Sequence, residues 1–243
     1  MAKVLREYLP GATYFEDYVE PWSSDYMYDD CSPLRLAELI EKHDTVIHLA
    51  ACTDVDRCDE PFSAEEVAET NVGLTEFIAN TARRMIYVST YYAHALSSEM
   101  GAYALSKRWG EIVTCNGKAD HKILVVGYIL DNFVDLVSRG LRKFDSLRTV
   151  QPVSYDTVCR IIANDLNEKP WNAYYDIAST DSVDMYTLGR EIVGDAAETA
   201  SIEYASPRPT KVHLSSDFGR ISWHDELEKA LIRQGKEKGN GHS

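Results

Sequence analysis

Glycine is nearly missing from the first third of the chain. Gly11 is the only one before Gly73, although the 243 residues contain 13. No loop of closely spaced glycines, the usual backbone cradle for phosphate, can therefore be built there. Long apolar runs are absent too. A stretch such as ILVVGYIL (123–130) is far too short to cross a bilayer, and the opening MAKVLREYLPG lacks the apolar centre of a signal peptide. Positive charge is scarce: 25 Lys and Arg stand against 39 Asp and Glu, a formal net charge of −14. That field repels phosphate backbones and anionic lipid, so neither nucleic acid nor membrane is expected as a partner. An anionic substrate would need basic residues of its own. The five cysteines, at 31, 52, 58, 115 and 159, are odd in number and lack paired short spacing. They suggest neither a disulfide framework nor a zinc site, and no metal is expected. Free thiols in a reducing, cytoplasmic setting are the default.

What remains is the composition of a globular protein, 44% hydrophobic and 26% charged, long enough for one domain or one domain with a smaller lobe. There is no internal repeat. The first two-thirds alternates between strand and helix patterns. ATYFEDYV (12–19) is strand-like. SPLRLAELIEKHD offers Ser32 as N-cap and Pro33 at the first helical position, with Leu34, Leu36, Leu39 and Ile40 set for burial. TVIHLAA (45–51) and MIYVST (85–90) read as strands buried on both faces. Between them, SAEEVAETNVGLTEFIANTARR has Ser63 and Glu66 in capping-box spacing and a helical stripe of Val67, Leu74, Phe77 and Ile78. SEMGAYALSKRWGEIVTC is a helix, and KILVVGYIL a further strand. After about Asp131 the pattern is mixed and ends in HDELEKALIRQ and a polar, Gly-rich tail from about 235. Strands alternating with helices imply a parallel sheet covered on both faces, a doubly wound α/β fold whose ligands lie beyond the carboxyl ends of the strands.

One constellation stands out in that frame. MIYVST ends in Ser89 and Thr90, at the edge where ligands bind. The next helix presents Tyr103 and Lys107, four apart, on one face. Asn71 falls on the buried stripe of the preceding helix, where an amide must find partners. Each residue also has a plain reading: a strand-end hydroxyl, a satisfied core amide, a solvated pair.

Together the segments resemble the short-chain dehydrogenase/reductase superfamily, in particular its extended, sugar-nucleotide branch. TVIHLAA is similar to that branch's fourth strand, ETNVGLTEFI to its Asn-bearing helix, and MIYVST…YALSK to its Ser/Thr…Tyr-x-x-x-Lys signature. LAACTDVDRCDEP resembles a stretch of the dTDP-4-dehydrorhamnose reductases and of the related regulatory β subunit of methionine adenosyltransferase. YYDIASTDSVDMYTLGREI and RPTKVHLSSDFGRISW resemble the closing segments. The resemblance implies a Rossmann-like sheet over residues 1–130 and, over 131–243, a small C-terminal substrate lobe plus the last sheet strand. It implies Tyr103 as acid/base, Thr90 bonded to the substrate oxygen, Asn71 holding its helix and a relay water, and Lys107 also on the nicotinamide ribose. A phenol titrates near ~10, and a neighbouring ammonium would lower that value towards neutrality. Ala50 and Ala51 would lie against the cofactor. Asp17 would bind ribose hydroxyls and favour NAD over NADP, and Asp29 with Asp30 would flank the adenine, unless all three are simply a solvated acidic loop. The substrate would be a nucleotide-linked sugar, and the protein a homodimer through its Asn and Tyr helices, with Phe77, Ile78, Trp109 and Ile112 in the interface.

The sequence departs from the pattern in four places. The Gly-rich loop is missing, and VLREYLPGATYFED reads either as the end of the family's first helix or, in AKVL, as a vestigial first strand. The fragment reading, with a first strand lying upstream, stays open. Thr90 to Tyr103 is only 13 positions, the spacing of compact members, so part of the substrate loop is gone. Tyr91 stands where the rhamnose-type reductases carry Asp. No Gly-rich or Pro-Gly turn follows VVGYIL. Two functions are therefore expected to compete: an NAD-dependent sugar-nucleotide reductase or epimerase whose cofactor binds weakly if at all, and an inactive or regulatory binding subunit that keeps the fold.

Overall fold

The computed structural model describes residues 1–14, 33–202 and 204–240. Four parallel strands form the central sheet in the spatial order Val46–His48, Arg84–Thr90, Asp120–Val126 and Ala173–Ile177. Alternation within the strands fills both faces. Met85, Tyr87, Ile123 and Val125 join one core with Ile78, Ala79 and Ala104 from the helices Leu74–Thr81 and Ala102–Asn116. Ile86, Leu124 and Val126 join another with Val4, Leu5, Val158 and Ile162 from the helices Ala2–Tyr8 and Tyr155–Ala163. This is the expected parallel α/β architecture, with helices on both faces. A third core of Phe133, Phe144, Leu188 and Trp223 holds the C-terminal elements together.

The N-terminus resolves one ambiguity. Ala2–Tyr8 is a helix, so AKVL is not a vestigial strand. Val46–His48 consequently lies at the edge of the sheet among the described residues. It is shorter than the expected 45–51, since Leu49–Ala51 have no ladder partner. Residues 15–19 of the expected second strand, and Ser32, fall outside the described residues.

Three local expectations need correction. Leu34 is 71% exposed, because it lies six positions from Ile40 and so on the other side of the helix Pro33–Glu41. Ser63 makes no side-chain cap bond, and Glu66 instead takes both oxygens to Arg57, at 3.0 and 2.8 Å. The final helix runs Trp223–Asn240, past the tail expected from about 235.

Candidate active site

The carboxyl ends of the strands open onto a cavity of about 800 Å³. Thr90, Tyr103 and Lys107 all line it, as do Ala50 and Ala51. The Tyr103 ring is 9% exposed and meets the Tyr92 ring edge-on, with centroids 5.6 Å apart. Burial pushes its phenol up from the ordinary value, and the hydrogen bond with Thr90 only partly offsets that. Lys107 is 4% exposed. Its Nζ donates to Val88 O at 2.8 Å and stands 4.3 Å from the centre of the Tyr87 ring. Burial lowers its pKa from 10.5 to about 7, with Glu111 pulling the other way. The expectation that an ammonium depresses the phenol is thus not met in this geometry: the lysine addresses a strand carbonyl, and desolvation governs the tyrosine.

Asn71 lies behind the cavity wall and is 1% exposed. Its helix does not run evenly: α-helix over Ala64–Ala68 widens into a π-helical turn at Glu69–Gly73 before resuming at Leu74. Such turns recur at functional sites because they re-aim one side chain without ending the helix. Here Oδ1 accepts from Cys52 N at 2.7 Å, while Nδ2 donates to Cys52 O at 3.1 Å and to Ser106 Oγ at 2.8 Å. The amide ties the 49–54 loop to the tyrosine helix, and those bonds use its two N–H donors. Close approach of the two helices requires Gly110. A Cβ there would stand 2.2 Å from the Tyr87 hydroxyl and 3.1 Å from Asn71 O. The expected adenosine-side acids Asp17, Asp29 and Asp30 lie outside the described residues.

The opposite wall carries residues to which the sequence reading gave no role. Arg148, 5% exposed, donates through Nη2 to the hydroxyls of Tyr91 and Tyr92 at 2.7 and 2.6 Å, and its guanidinium is 5.5 Å from the Tyr128 ring centre. Its Nε is buried with no partner among the described residues, as is Nη1 of Arg208, whose Nη2 reaches Asp56 Oδ1 at 2.8 Å. Both arginines line the same cavity. Tyr91, where the sequence resemblance led one to expect Asp, is therefore a fixture of this arginine nest. The local basic residues that a −14 chain would need for an anionic ligand are present. Only the RPT stretch hinted at them.

Beneath Lys107 lies a buried carboxylate. Glu111 Oε1 accepts from Ser89 Oγ at 2.5 Å and meets His94 Nε2 at 3.1 Å. That contact raises the His94 pKa, although partial burial opposes it. On the other side of Tyr87, the buried His48 bonds Thr75 Oγ1 at 3.0 Å, and burial, with Lys107 nearby, lowers its pKa to about 3.

A parallel α/β sheet with helices on both faces, and Thr90, Tyr103 and Lys107 gathered at its carboxyl edge, is a Rossmann-like architecture. Solved structures bear out that fold. A dTDP-4-dehydrorhamnose reductase from Bacillus anthracis, in complex with NADP, superposes with a TM-score of 0.73 at 15% identity, covering 94% of this chain and 95% of that one. An ortholog from Clostridium acetobutylicum gives 0.73 at 17% identity, covering 96% and 95%. The dTDP-glucose 4,6-dehydratase DesIV from Streptomyces venezuelae, with NAD and TYD bound, gives 0.69 at 19%, covering 86% and 78%. Identities this low establish shared architecture and nothing finer. No protein-family model matches the chain, and no curated protein does.

Proposed function

We propose that the chain is an NAD(P)-dependent oxidoreductase or epimerase of the extended short-chain dehydrogenase type, acting on a nucleotide-linked sugar. The observation that carries this reading is the convergence of Thr90, Tyr103 and Lys107 on a cavity that is also lined by the buried Arg148 and the partly buried Arg208. Thr90 would hydrogen-bond the reacting oxygen of the sugar, and Tyr103 would give or take its proton. Lys107, titrating near neutrality, would supply the charge that brings the phenol into its working range once it turns from Val88 O. Arg148 and Arg208 would face the diphosphate with fixed, delocalised charge. Asn71 positions the wall and does not touch substrate. When bound, the dinucleotide supplies the hydride chemistry.

The residues fit that cofactor at one end. Ala50, Ala51 and Lys107 leave room for a nicotinamide ribose beside Tyr103. At the pyrophosphate end the flank of Val46–His48 is a cleft of about 380 Å³ lined by Leu5, Leu9, Leu36 and Ile40, with Gly11 its only glycine. Among the described residues nothing there presents a row of backbone N–H groups. Binding should therefore be weak, with a Kd above about 10 µM, or roughly −7 kcal/mol. That same cleft favours the second reading, a binding or regulatory subunit that has lost the dinucleotide phosphate site.

Calorimetry separates the two. Titration with NAD(H), NADP(H) and a UDP- or dTDP-sugar should show weak dinucleotide and firmer sugar-nucleotide binding, with turnover when both are present. Binding of the sugar nucleotide alone, without turnover, would favour the subunit reading. Tight NADP binding would contradict the account of the phosphate end. The same reading includes a homodimer. Leu105, Trp109 and Ile112 form an exposed stripe on the tyrosine helix, whereas Ile78, expected in that interface, is 5% exposed and packed into its own core.

A further inference from the structure

Cys52 and Cys58, six positions apart, had no recognisable pairing in the sequence. The short helix Val55–Cys58 turns the chain back so that their sulfurs stand 3.4 Å apart. The Cys58 thiol also points at Cys52 O, at 3.7 Å. The two are not equivalent. Cys52 is half-buried and open to small reagents, while Cys58 is 1% exposed. Burial, the Cys52 sulfur and the nearby Asp54 and Asp59 all push the Cys58 thiol up, so it stays protonated.

We propose that Cys52 and Cys58 form a redox-active dithiol, a modification site at which a hydroperoxide closes an intramolecular disulfide and loosens the wall behind Tyr103. Cys52 is the attacking residue, because it is the accessible sulfur. Its thiolate attacks one peroxide oxygen, the O–O bond breaks, and the departing oxygen leaves as water, giving Cys52 sulfenic acid. The Cys58 sulfur then attacks the Cys52 sulfur, the S–O bond breaks, and the hydroxyl departs with the Cys58 proton as a second water. Two thiols and hydrogen peroxide thus give one disulfide and two waters, two electrons passing from sulfur to peroxide. The sulfurs already lie close enough that sulfenic acid at Cys52 meets its resolving partner before a second peroxide.

The consequence follows from what each cysteine holds. Bonding requires about 2.05 Å between the sulfurs, so the 3.4 Å gap must close by roughly 1.4 Å. Cys52 is gripped on both sides of its backbone by the Asn71 amide. Next to Cys58, Asp59 Oδ1 accepts from Ala102 N at 2.6 Å, at the first residue of the tyrosine helix. Movement of either cysteine therefore strains the Asn71 clamp or that helix start. Cys58 lies in the same apolar core as Tyr103, and Cys52 packs against that core.

Peptide mass mapping without reduction tests this on the intact, folded chain after mild hydrogen peroxide. Arg57 lies between the cysteines, so trypsin should release 43–57 linked to 58–83, lighter by two hydrogens and separated by dithiothreitol. In Cys58→Ser the reaction should stop at Cys52 sulfenic acid, captured by a cyclic 1,3-dione at least tenfold more than in wild type. Should that variant misfold, the linked peptide in wild type still decides. Amide exchange at Cys52 and Ala102 should accelerate at least tenfold in the bridged form. The inference is overturned if the exposed Cys115 oxidises first, if Cys52 passes to sulfinic acid with Cys58 still a free thiol, or if the bridge leaves exchange unchanged.

Discussion

Replacing Lys107 with Met should make the protein more stable while abolishing whatever turnover it has. The lysine is 4% exposed and, among the described residues, its Nζ meets Val88 O and the Tyr87 face and no carboxylate. Its pKa falls from 10.5 to about 7 on folding. That gap corresponds to roughly 5 kcal/mol of cost to the folded state at pH values below both. Loss of the bond to Val88 O and of the ring contact returns about 2 kcal/mol of that. The net gain at pH 6 is about 3 kcal/mol, or roughly 6–12 °C in Tm for a chain of this size.

The pH dependence makes the test specific. Between the folded value near 7 and the unfolded value of 10.5, the unfolded chain holds a proton that the folded chain has released. Wild type therefore gains stability as pH rises through this window, by about 1.4 kcal/mol per pH unit. Lys107→Met lacks the group, so its advantage shrinks at the same rate and disappears near pH 9. Titrations that do not feel Lys107, such as the raised thiol of Cys58, cancel in the difference; His48, lowered chiefly by burial and secondarily by Lys107, is neutral in both states above about pH 7 and adds little there. Urea unfolding of the pair at pH 6, 7, 8 and 9 reads it directly. A variant no more stable than wild type at pH 6, or an advantage that does not change with pH, would show that Lys107 is charged and solvated.

Tyr103→Phe keeps the ring against Tyr92 but removes the transferable proton, so turnover should fall by about 10²-fold or more with little change in Tm; an unchanged rate would remove Tyr103 from the chemistry. Arg208→Gln should weaken UDP binding about tenfold or more by calorimetry, or about 1.4 kcal/mol, and an unaltered Kd would place the diphosphate elsewhere. Because His48 titrates near 3 when folded and near 6.5 when unfolded, stability should fall by about 1.4 kcal/mol per pH unit below 6.5; in His48→Gln the decline should be shallower, and an identical slope would refute the assignment. Trp109→Glu, placing charge in the exposed stripe, should turn a dimer into a monomer by light scattering, whereas a wild type already monomeric at micromolar concentration would dispose of the interface.

How much of this was legible in the sequence depends on whether a residue's partners are near it in the chain. MIYVST could be read as a doubly buried strand because it is a short, mostly apolar run ending in small hydroxyls, and the structure pairs it with the further strand read at KILVV, residue for residue from Arg84↔Asp120 to Thr90↔Val126. Tyr103 and Lys107 could be placed on one helix face by spacing alone. Asn71 was readable as buried but not as a clamp, because a π-helical turn shifts the phase of its helix and leaves no mark in a 3.6-residue pattern.

Arg148 shows where such reading stops. It lies 57 and 56 positions from the tyrosines it bonds, in a stretch with no periodicity, and looks like any surface arginine in a chain with a large negative balance. Its burial becomes visible only when Tyr91 and Tyr92, at the end of the second strand, meet the loop before Thr149. The same geometry gives a role to Tyr91, which had looked only like a departure from an expected Asp. An Asp after Thr90 would form an ion pair with Arg148 and cancel its charge; a tyrosine accepts the hydrogen bond and leaves the guanidinium positive in the cavity. If the proposed anionic ligand binds there, a Tyr91→Asp variant should lose UDP affinity by about as much as Arg208→Gln does.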